Sequence, residues 1–198
     1  MSRRLFILVA VAAAALLLVP AALAVRVHVR VEGKTRTIFG ASEPSLSVSK
    51  NALDALDAAS FAGEFYYHVT TTSYGPYVDQ IGRYPADASS GWVFKVNGAS
   101  PPVGADAVTL QPGDHVLWYW ATFGPSGGPE TLLLQSRRKN CYRVLAQNDA
   151  GKTRPARGAV LHVGAGTFRT KAGGACIGRH GGAVRATLAG TVRSNALA

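Results

Sequence analysis

The chain has 198 residues, of which 47% are hydrophobic and 16% charged, a composition that supports a packed core and excludes wholesale disorder. The formal net charge is +10, but it is unevenly distributed. Residues 25–130 carry 7 Lys/Arg and 10 Asp/Glu (net −3), whereas residues 131–198 carry 12 Lys/Arg and a single acid, Asp149 (net +11). This asymmetry predicts two units with different surfaces, one nearly neutral and one cationic.

The first 24 residues have the pattern of an export signal. Two arginines (3–4) precede an unbroken apolar run (5–19), Pro20 interrupts it, and residues 22–24 read Ala-Leu-Ala, a small-x-small cleavage pattern. We predict a signal peptide over residues 1–24, for the general secretory or the twin-arginine route. The alternative is an uncleaved anchor, since about 20 apolar residues can span a bilayer. Either way, we expect the rest of the chain to work outside the cytoplasm, secreted or associated with the cell envelope.

The strand and helix signals of residues 25–123 predict an α+β domain. Residues 25–31 alternate valine with Arg or His, which indicates a half-buried antiparallel strand, and a second strand is expected over 35–39. Ser49 resembles the N-cap of a helix over 50–60, the one convincing helix signal after the leader. Strand patterns then follow in quick succession up to residue 121. The expected fold is a helix packed on a mixed sheet, a β-grasp-like arrangement.

The remaining residues predict a second, all-β unit. Gly and Pro dominate residues 124–130, which indicates a linker. Short strand patterns separated by glycine-rich turns fill residues 131–198, so we expect a small β-sandwich. The fold class is therefore mainly β with an α+β first domain.

The two cysteines of the chain, Cys141 and Cys176, both lie in the basic half. An oxidising compartment permits a disulfide between them, and closing this loop would stabilise the domain by roughly 3–4 kcal/mol. Two independent buried thiols are the alternative.

Several short motifs resemble the C-terminal domain of transcobalamin and intrinsic factor, a module also common in bacterial exported proteins. Residues 72–78 read TSYGPYV, residues 91–98 read GWVFKVNG, and further matching positions extend the resemblance over about residues 25–123. In the cobalamin carriers this β-rich domain covers one side of the corrinoid. The carriers also use a large helical domain, which has no counterpart in this sequence.

By this resemblance, the ligand-binding residues are a loop and the aromatic pair of the following strand. These are Ser73, Tyr74, Gly75, Pro76, Trp92 and Phe94. Cobalamin is a candidate ligand by resemblance alone, and no other cofactor is expected. The basic half is similar, through short turn-and-strand patterns, to immunoglobulin-like or carboxypeptidase-regulatory sandwiches, which usually serve as spacers or adhesion modules.

No catalytic or metal-binding constellation emerges from the residues. Gly124-Pro125-Ser126-Gly127-Gly128 fits G-x-S-x-G, but a nucleophile elbow needs a strand before it and a helix after it, and the surrounding Gly and Pro residues favour a linker. The five histidines show no i, i+4 pair and no acid at ligand spacing. We therefore predict a protein that is not an enzyme and holds no metal.

Two functional hypotheses remain. In the first, the aromatic residues clustered over residues 66–120 form a platform that stacks a small molecule or glycan. In the second, the basic half holds a structural or adhesive envelope protein on anionic wall polymers or a membrane surface. The polyanion-binding residues would be Arg137, Arg138, Lys139 and Arg143. Aromatic residues are sparse there, so we expect no dedicated nucleic-acid groove.

Overall fold

The computed structural model describes residues 24–125 and 127–198. The predicted signal peptide, up to residue 23, lies outside the described residues. Within the described ranges, no helix combines the length and apolar character that crossing a bilayer requires. The described chain is mostly β and contains a single helix, which confirms the predicted fold class.

Residues 24–123, here called the N-terminal half, contain eight strands and the helix. In chain order they are β1 (Val25–Glu32), β2 (Thr37–Phe39), β3 (Ser45–Val48), α1 (Ala52–Gly63), β4 (Tyr67–Thr72), β5 (Gly75–Ile81), β6 (Tyr84–Pro85), β7 (Ser90–Val96) and β8 (His115–Thr122). The main sheet has the order β2-β1-β8-β7, with β3 also paired to β1, and β4, β5 and β6 form a separate small sheet.

The main sheet is mixed, and its centre differs in one respect from the sequence prediction. β1 was expected to be an antiparallel strand, but it pairs in parallel with β8, with His28 opposite His115, and antiparallel with β2 and β3. Strand alternation alone does not distinguish the two pairings, which depend on a partner almost 90 residues away. The first and last strands of this half therefore lie side by side at the centre of the sheet, as expected for a β-grasp-like arrangement.

Helix α1 begins later than the sequence predicted. Asn51, not Ser49, is the N-cap: its side chain accepts the Asp54 N–H (2.9 Å), and the Asp54 carboxylate accepts the Asn51 N–H (3.1 Å). This reciprocal capping box satisfies two backbone donors at once, which explains why it prevails over a lone serine. The helix then buries Leu56 and three alanines against the sheet, while Phe61 is left exposed.

The face of the main sheet away from α1 is buried as well. The sequence predicted a half-buried β1, yet Arg30 is 3% exposed and Glu32 only 1%. Glu32 accepts hydrogen bonds from Arg185 and from Arg193 (Nε to Oε2, 3.1 Å), and Arg30 Nη1 donates to the Arg193 carbonyl (2.7 Å). The residues that cover this face thus come from the far end of the chain.

Residues 131–198, here called the C-terminal half, contain eight short strands. They are β9 (Thr131–Arg138), β10 (Cys141–Gln147), β11 (Thr153–Pro155), β12 (Val160–Val163), β13 (Gly166–Arg169), β14 (Gly174–Cys176), β15 (Val184–Thr187) and β16 (Ala196–Leu197). They form two four-stranded sheets, one of β9, β10, β11 and β14 and the other ordered β13-β12-β15-β16. Both sheets contribute side chains to one apolar cluster, which is the two-layer sandwich that the sequence predicts.

The predicted disulfide is present. Cys141 of β10 and Cys176 of β14 are directly opposite each other in the ladder and are bonded through their sulfurs. The bridge links two neighbouring strands of a small domain. Disulfides stabilise such domains because the apolar core alone supplies little free energy of folding.

Candidate functional site

A cleft of about 350 Å³ opens at the edge of the main sheet. Its walls come from edge strand β7, from hairpin β4–β5, from the loop after β7, and from the segment that joins the two halves of the chain. Most of the lining is apolar and aromatic, and a few polar groups lie at its rim. Concave, largely apolar sites of this size with a small number of polar groups are typical of small-ligand pockets in proteins.

Three aromatic rings form the floor of the cleft. Phe94 of β7 stacks on Trp118 of β8 with ring centroids 5.1 Å apart, because the two residues are cross-strand partners. Trp92 is 2% exposed, and its indole N–H donates to the Tyr84 carbonyl (2.9 Å). The indole N–H of Trp118 donates to the Ala52 carbonyl (3.2 Å). Both indole nitrogens are satisfied within the protein, and Trp92 and Trp118 are each only 2% exposed, so Phe94, which is partly buried, is the ring of the three that a ligand can reach.

Hairpin β4–β5 supplies one side wall through Pro76 and Tyr77. Tyr77 lies so close to β7 that a Cβ at position 91 would collide with its hydroxyl, so a larger residue there would displace the tyrosine. Burial raises the pKa of Tyr77, and a hydrogen bond with the Trp92 backbone partly opposes that shift. Gly91 therefore leaves room for the Tyr77 side chain to pack against the edge of β7.

Backbone polar groups of β7 also face the cleft. The Val96 N–H donates away from β8, to the Ala99 carbonyl (2.9 Å), whereas the Asn97 N–H donates toward β8, to the His115 carbonyl (2.9 Å). In an antiparallel ladder this direction alternates from residue to residue, so the N–H and C=O of Phe94 point away from β8 as well. Phe94 thus presents both a ring and backbone hydrogen-bonding groups at the site.

The C-terminal half contributes Asp149, whose side chain is 52% exposed at the rim. Its carbonyl accepts the Ser100 N–H (2.8 Å), and its carboxylate accepts the Ser100 hydroxyl (3.3 Å). Asp149 is therefore held against the loop that follows β7. A half-exposed carboxylate beside aromatic rings favours ligands that carry hydrogen-bond donors or positive charge.

Lys95 ties the two halves together beneath this rim. Its side chain is fully buried, and its Nζ donates to the carbonyls of Gln147 (3.2 Å) and Asn148 (3.0 Å) and lies 3.5 Å from the Asp149 carboxylate. Burial lowers the pKa of Lys95, and Asp149 opposes that shift. Because a buried ammonium needs partners, Lys95 fixes the position of the turn that carries Asp149.

The predicted ligand-binding residues are only partly brought together. Pro76, Trp92 and Phe94 line the cleft. Ser73 and Tyr74 form the turn between β4 and β5, where Tyr74 is 98% exposed and lies outside the lining of the cleft. Gly75 also lies outside the lining and adopts a positive φ of 107° next to that turn.

The predicted polyanion-binding residues lie around the β9–β10 turn. Arg137 and Arg143 line a shallow groove of about 400 Å³ that runs beside the disulfide. Arg138 lies against the bridge, with its Nε 3.3 Å from the Cys141 sulfur, and Lys139 is exposed in the turn. Neither of the last two residues lines the groove.

Sequence reasoning did not assign several residues of these two sites, among them Tyr77, Ser100 and Trp118 of the cleft. Asp149 in the cleft and Lys171 in the groove are brought in by folding, although the isolation of Asp149 in a basic half was a usable signal. Phe123, 47% exposed at the mouth of the cleft, lies just before the segment that was interpreted as a linker. In residues 24–125 and 127–198, no three His, Cys, Asp or Glu side chains converge to hold a metal ion.

The fold and the cleft together define a mostly β protein with an aromatic site at a sheet edge. Within it, residues 49–122 match a family described as a domain of unknown function (DUF4430). The match runs from two residues before the helix cap to the end of β8 and contains Pro76, Trp92, Phe94 and Trp118, whereas Asp149 lies outside it. No curated protein matches the chain.

Proposed function

We propose that this protein is an exported, non-enzymatic binding module that holds a small molecule or glycan in the cleft beside β7. The observation that carries the proposal is the cleft itself, in which Trp92 and Phe94 of one strand meet Pro76 and Tyr77 of the hairpin. The turn at Asp149, later in the chain, is held against the loop after β7 by contacts with Lys95 and Ser100.

The chemistry of the walls supports a ligand with a flat apolar face and polar edges. Phe94, Tyr77 and Phe123 offer ring surface, while the Phe94 backbone, the Ser100 hydroxyl and the Asp149 carboxylate offer hydrogen bonds at the rim. Sugar rings and planar heterocycles both have this division between face and edge. The proposal that the site is not catalytic rests on its lining, which among the described residues contains one carboxylate, Asp149, and no His, Cys or Lys.

The resemblance to the transcobalamin module makes cobalamin one specific candidate. In the carriers, that module closes on the ligand from one side. Here the opposite wall of the cleft comes from Gly128 and Asp149, beyond the family match. A corrinoid would be held over Trp92 and Phe94 and would remain partly in water, so we expect weaker binding than a two-sided clamp gives.

Export is supported by two independent features. The disulfide between Cys141 and Cys176 fits an oxidising compartment, and the first 24 residues have the signal pattern described above. An extracytoplasmic protein meets wall sugars and scavenged cofactors directly, which fits the proposed ligand classes.

Titration with cobalamin and with N-acetylglucosamine oligomers, followed by tryptophan fluorescence, tests the proposal. Trp92 and Trp118 line the cleft, so a bound ligand should change their emission in a saturable way. Replacing the exposed wall residue in Phe123→Ala should weaken binding roughly five- to tenfold, the effect of losing one aromatic contact. Tyr74→Ala tests whether the tip of hairpin β4–β5 contacts the ligand. Weaker binding would indicate that it does, and an unchanged affinity that it does not.

Phe61→Ala is the matched control, because Phe61 is 89% exposed on α1 and lies outside the cleft. It should leave the affinity unchanged. Equal effects of Phe61→Ala and Phe123→Ala would argue against the cleft as the binding site. No saturable signal with either ligand class at about 1 mM would contradict the proposal.

A further inference from the structure

We propose that the groove beside the disulfide is a second binding site, specific for a linear phosphate polymer. The groove holds about 400 Å³ and is lined by Arg137 of β9, Arg143 of β10 and Lys171 of the turn before β14. It lies in the C-terminal half, shares no lining residue with the aromatic cleft, and does not depend on what the cleft binds.

The positive charge of the groove is not neutralised by the protein. Among the described residues, no carboxylate forms an ion pair with Arg137, Arg143 or Lys171. Other cations of this half are engaged: Arg185 and Arg193 with Glu32, and Arg154 with Glu130. Within the described ranges, nine Lys/Arg of this half thus have no ion pair: Arg137, Arg143 and Lys171 line the groove, Arg138 and Lys139 lie beside it on the β9–β10 turn, and the other four lie elsewhere.

The fold holds these cations in a fixed arrangement. Arg143 is paired in register with Gly174 of β14, two ladder positions from the Cys141–Cys176 pair. Lys171 and Gly174 exchange two backbone hydrogen bonds (3.0 and 2.9 Å), which closes a tight turn whose central residues, Ala172 and Gly173, both have positive φ. Since the turn and the bridge are both constrained, less side-chain and loop freedom is lost on binding.

Several features favour a polymer over a single small anion. The groove is a shallow channel, and Arg138 and Lys139 continue the positive surface past it along the β9–β10 turn. A ligand with repeated charges therefore gains contacts that one phosphate would not. Arginine's planar fork matches phosphate oxygens through two parallel hydrogen bonds, which favours phosphate groups over diffuse negative charge.

Other classes of polyanion fit less well. A membrane surface is recognised by cations next to exposed apolar side chains, but in residues 131–198 the only exposed large apolar residue is Phe168, at 37%, and it lies outside the groove. A single-stranded nucleic acid would use exposed rings to stack its bases, whereas the groove's ring, Tyr142, is 7% exposed. The backbone phosphates of a wall polymer need neither feature.

Fluorescence polarisation with a labelled short inorganic polyphosphate tests the site. We expect saturable binding that weakens steeply between about 0.05 and 0.2 M salt, since each contact releases counterions. The triple variant Arg137→Gln/Arg143→Gln/Lys171→Gln should lower the affinity roughly tenfold or more, because three phosphate contacts are lost. Its melting temperature should stay close to that of the native protein.

The matched control is Lys50→Gln/Lys152→Gln/Arg157→Gln. These three exposed residues lie outside the groove, and the control has the same net charge as the groove variant. It should bind polyphosphate within about twofold of the native protein. Equal losses in both variants would overturn the proposal, because they would mean attraction by net charge alone.

Two further arms separate the competing ligands. Vesicles of phosphatidylcholine with phosphatidylglycerol should bind more weakly than polyphosphate and should respond little to the groove variant. Vesicle binding that the groove variant abolishes would reassign the site to a lipid surface and contradict the proposal. Absence of saturable polyphosphate binding at low salt would also contradict it.

Discussion

The two faces of the main sheet are both buried, but by different chemistry. On one face, valines of β1 and tryptophans of β8 pack against α1. On the other, Glu32 and Arg30 of β1 meet arginines of the C-terminal half, and Lys95 reaches the end of β10. The first face is held by area removed from water, and the second by an apolar cluster of Leu117, Tyr119, Ala121 and Val192 together with charges that must stay paired. A loss of one charged partner should therefore be damaging on the second face, because it leaves a buried charge unpaired.

Glu32→Gln tests the charged face of the sheet and should have the largest effect of the variants considered. It keeps the side-chain volume but leaves Arg30, Arg185 and Arg193 without their shared anion, so we expect a loss of about 3–5 kcal/mol in the free energy of unfolding. Urea denaturation measures it. Glu64→Gln, at an exposed position after α1, is the control and should change stability little. A loss below about 1 kcal/mol would mean that the charged face adds no more than surface ion pairs do.

Leu56→Ala probes the apolar face on the same scale. Leu56 is fully buried on the side of α1 that faces the sheet. Its truncation leaves a cavity that should lower the free energy of unfolding by about 3 kcal/mol. Phe61→Ala, on the exposed side of the same helix, should cost far less. If Leu56→Ala exceeded Glu32→Gln clearly, packing rather than charge pairing would dominate the stability of the sheet.

Alkaline pH should have a smaller effect, and its sign should differ between Tyr67 and Lys95. Burial and a hydrogen bond to Asp57 raise the pKa of Tyr67, beside α1, from 10.0 to about 12. Between these values the unfolded chain loses the phenol proton while the folded chain keeps it, so stability falls as pH rises. Lys95 acts oppositely: its lowered pKa means that stability rises with pH up to its ordinary value of 10.5.

Urea denaturation at pH values from about 9 to 11 tests this sign. Tyr67→Phe should flatten the alkaline decline, whereas Tyr66→Phe, at an exposed neighbouring position, should not. An unchanged slope in Tyr67→Phe would show that Tyr67 does not cause the decline.

Sequence reasoning predicted those parts of the fold that depend on local patterns. The alternation of Val27, Val29 and Val31 identified a strand and its apolar face, and all three are fully buried. The disulfide was predicted from two cysteines in a chain with an export-signal pattern, and it is present. Helix α1 was predicted within two residues of its start, and the error arose because Asn51 and Asp54 cap each other.

The parts that were missed depend on contacts between distant residues. Arg30 and Arg193 are 163 positions apart, and nothing local indicates that a cationic tail will cover a charged strand. The same holds for the cleft, where Asp149 reaches the rim only because Lys95 and Ser100 hold its turn. A linker prediction based on Gly and Pro composition also gave no hint that Phe123 and Gly128 form part of a wall.

The parallel pairing of β1 with β8 has a practical consequence for anyone producing a shortened protein. The family match starts at residue 49, after β1, β2 and β3 have ended. A fragment cut at those limits would lose the strand that pairs with the inner side of β8, and that side would become a bare hydrogen-bonding edge next to Trp118. If such a fragment is insoluble, the cause is the loss of β1 as the partner of β8. The result would give no information on whether the cleft binds a ligand.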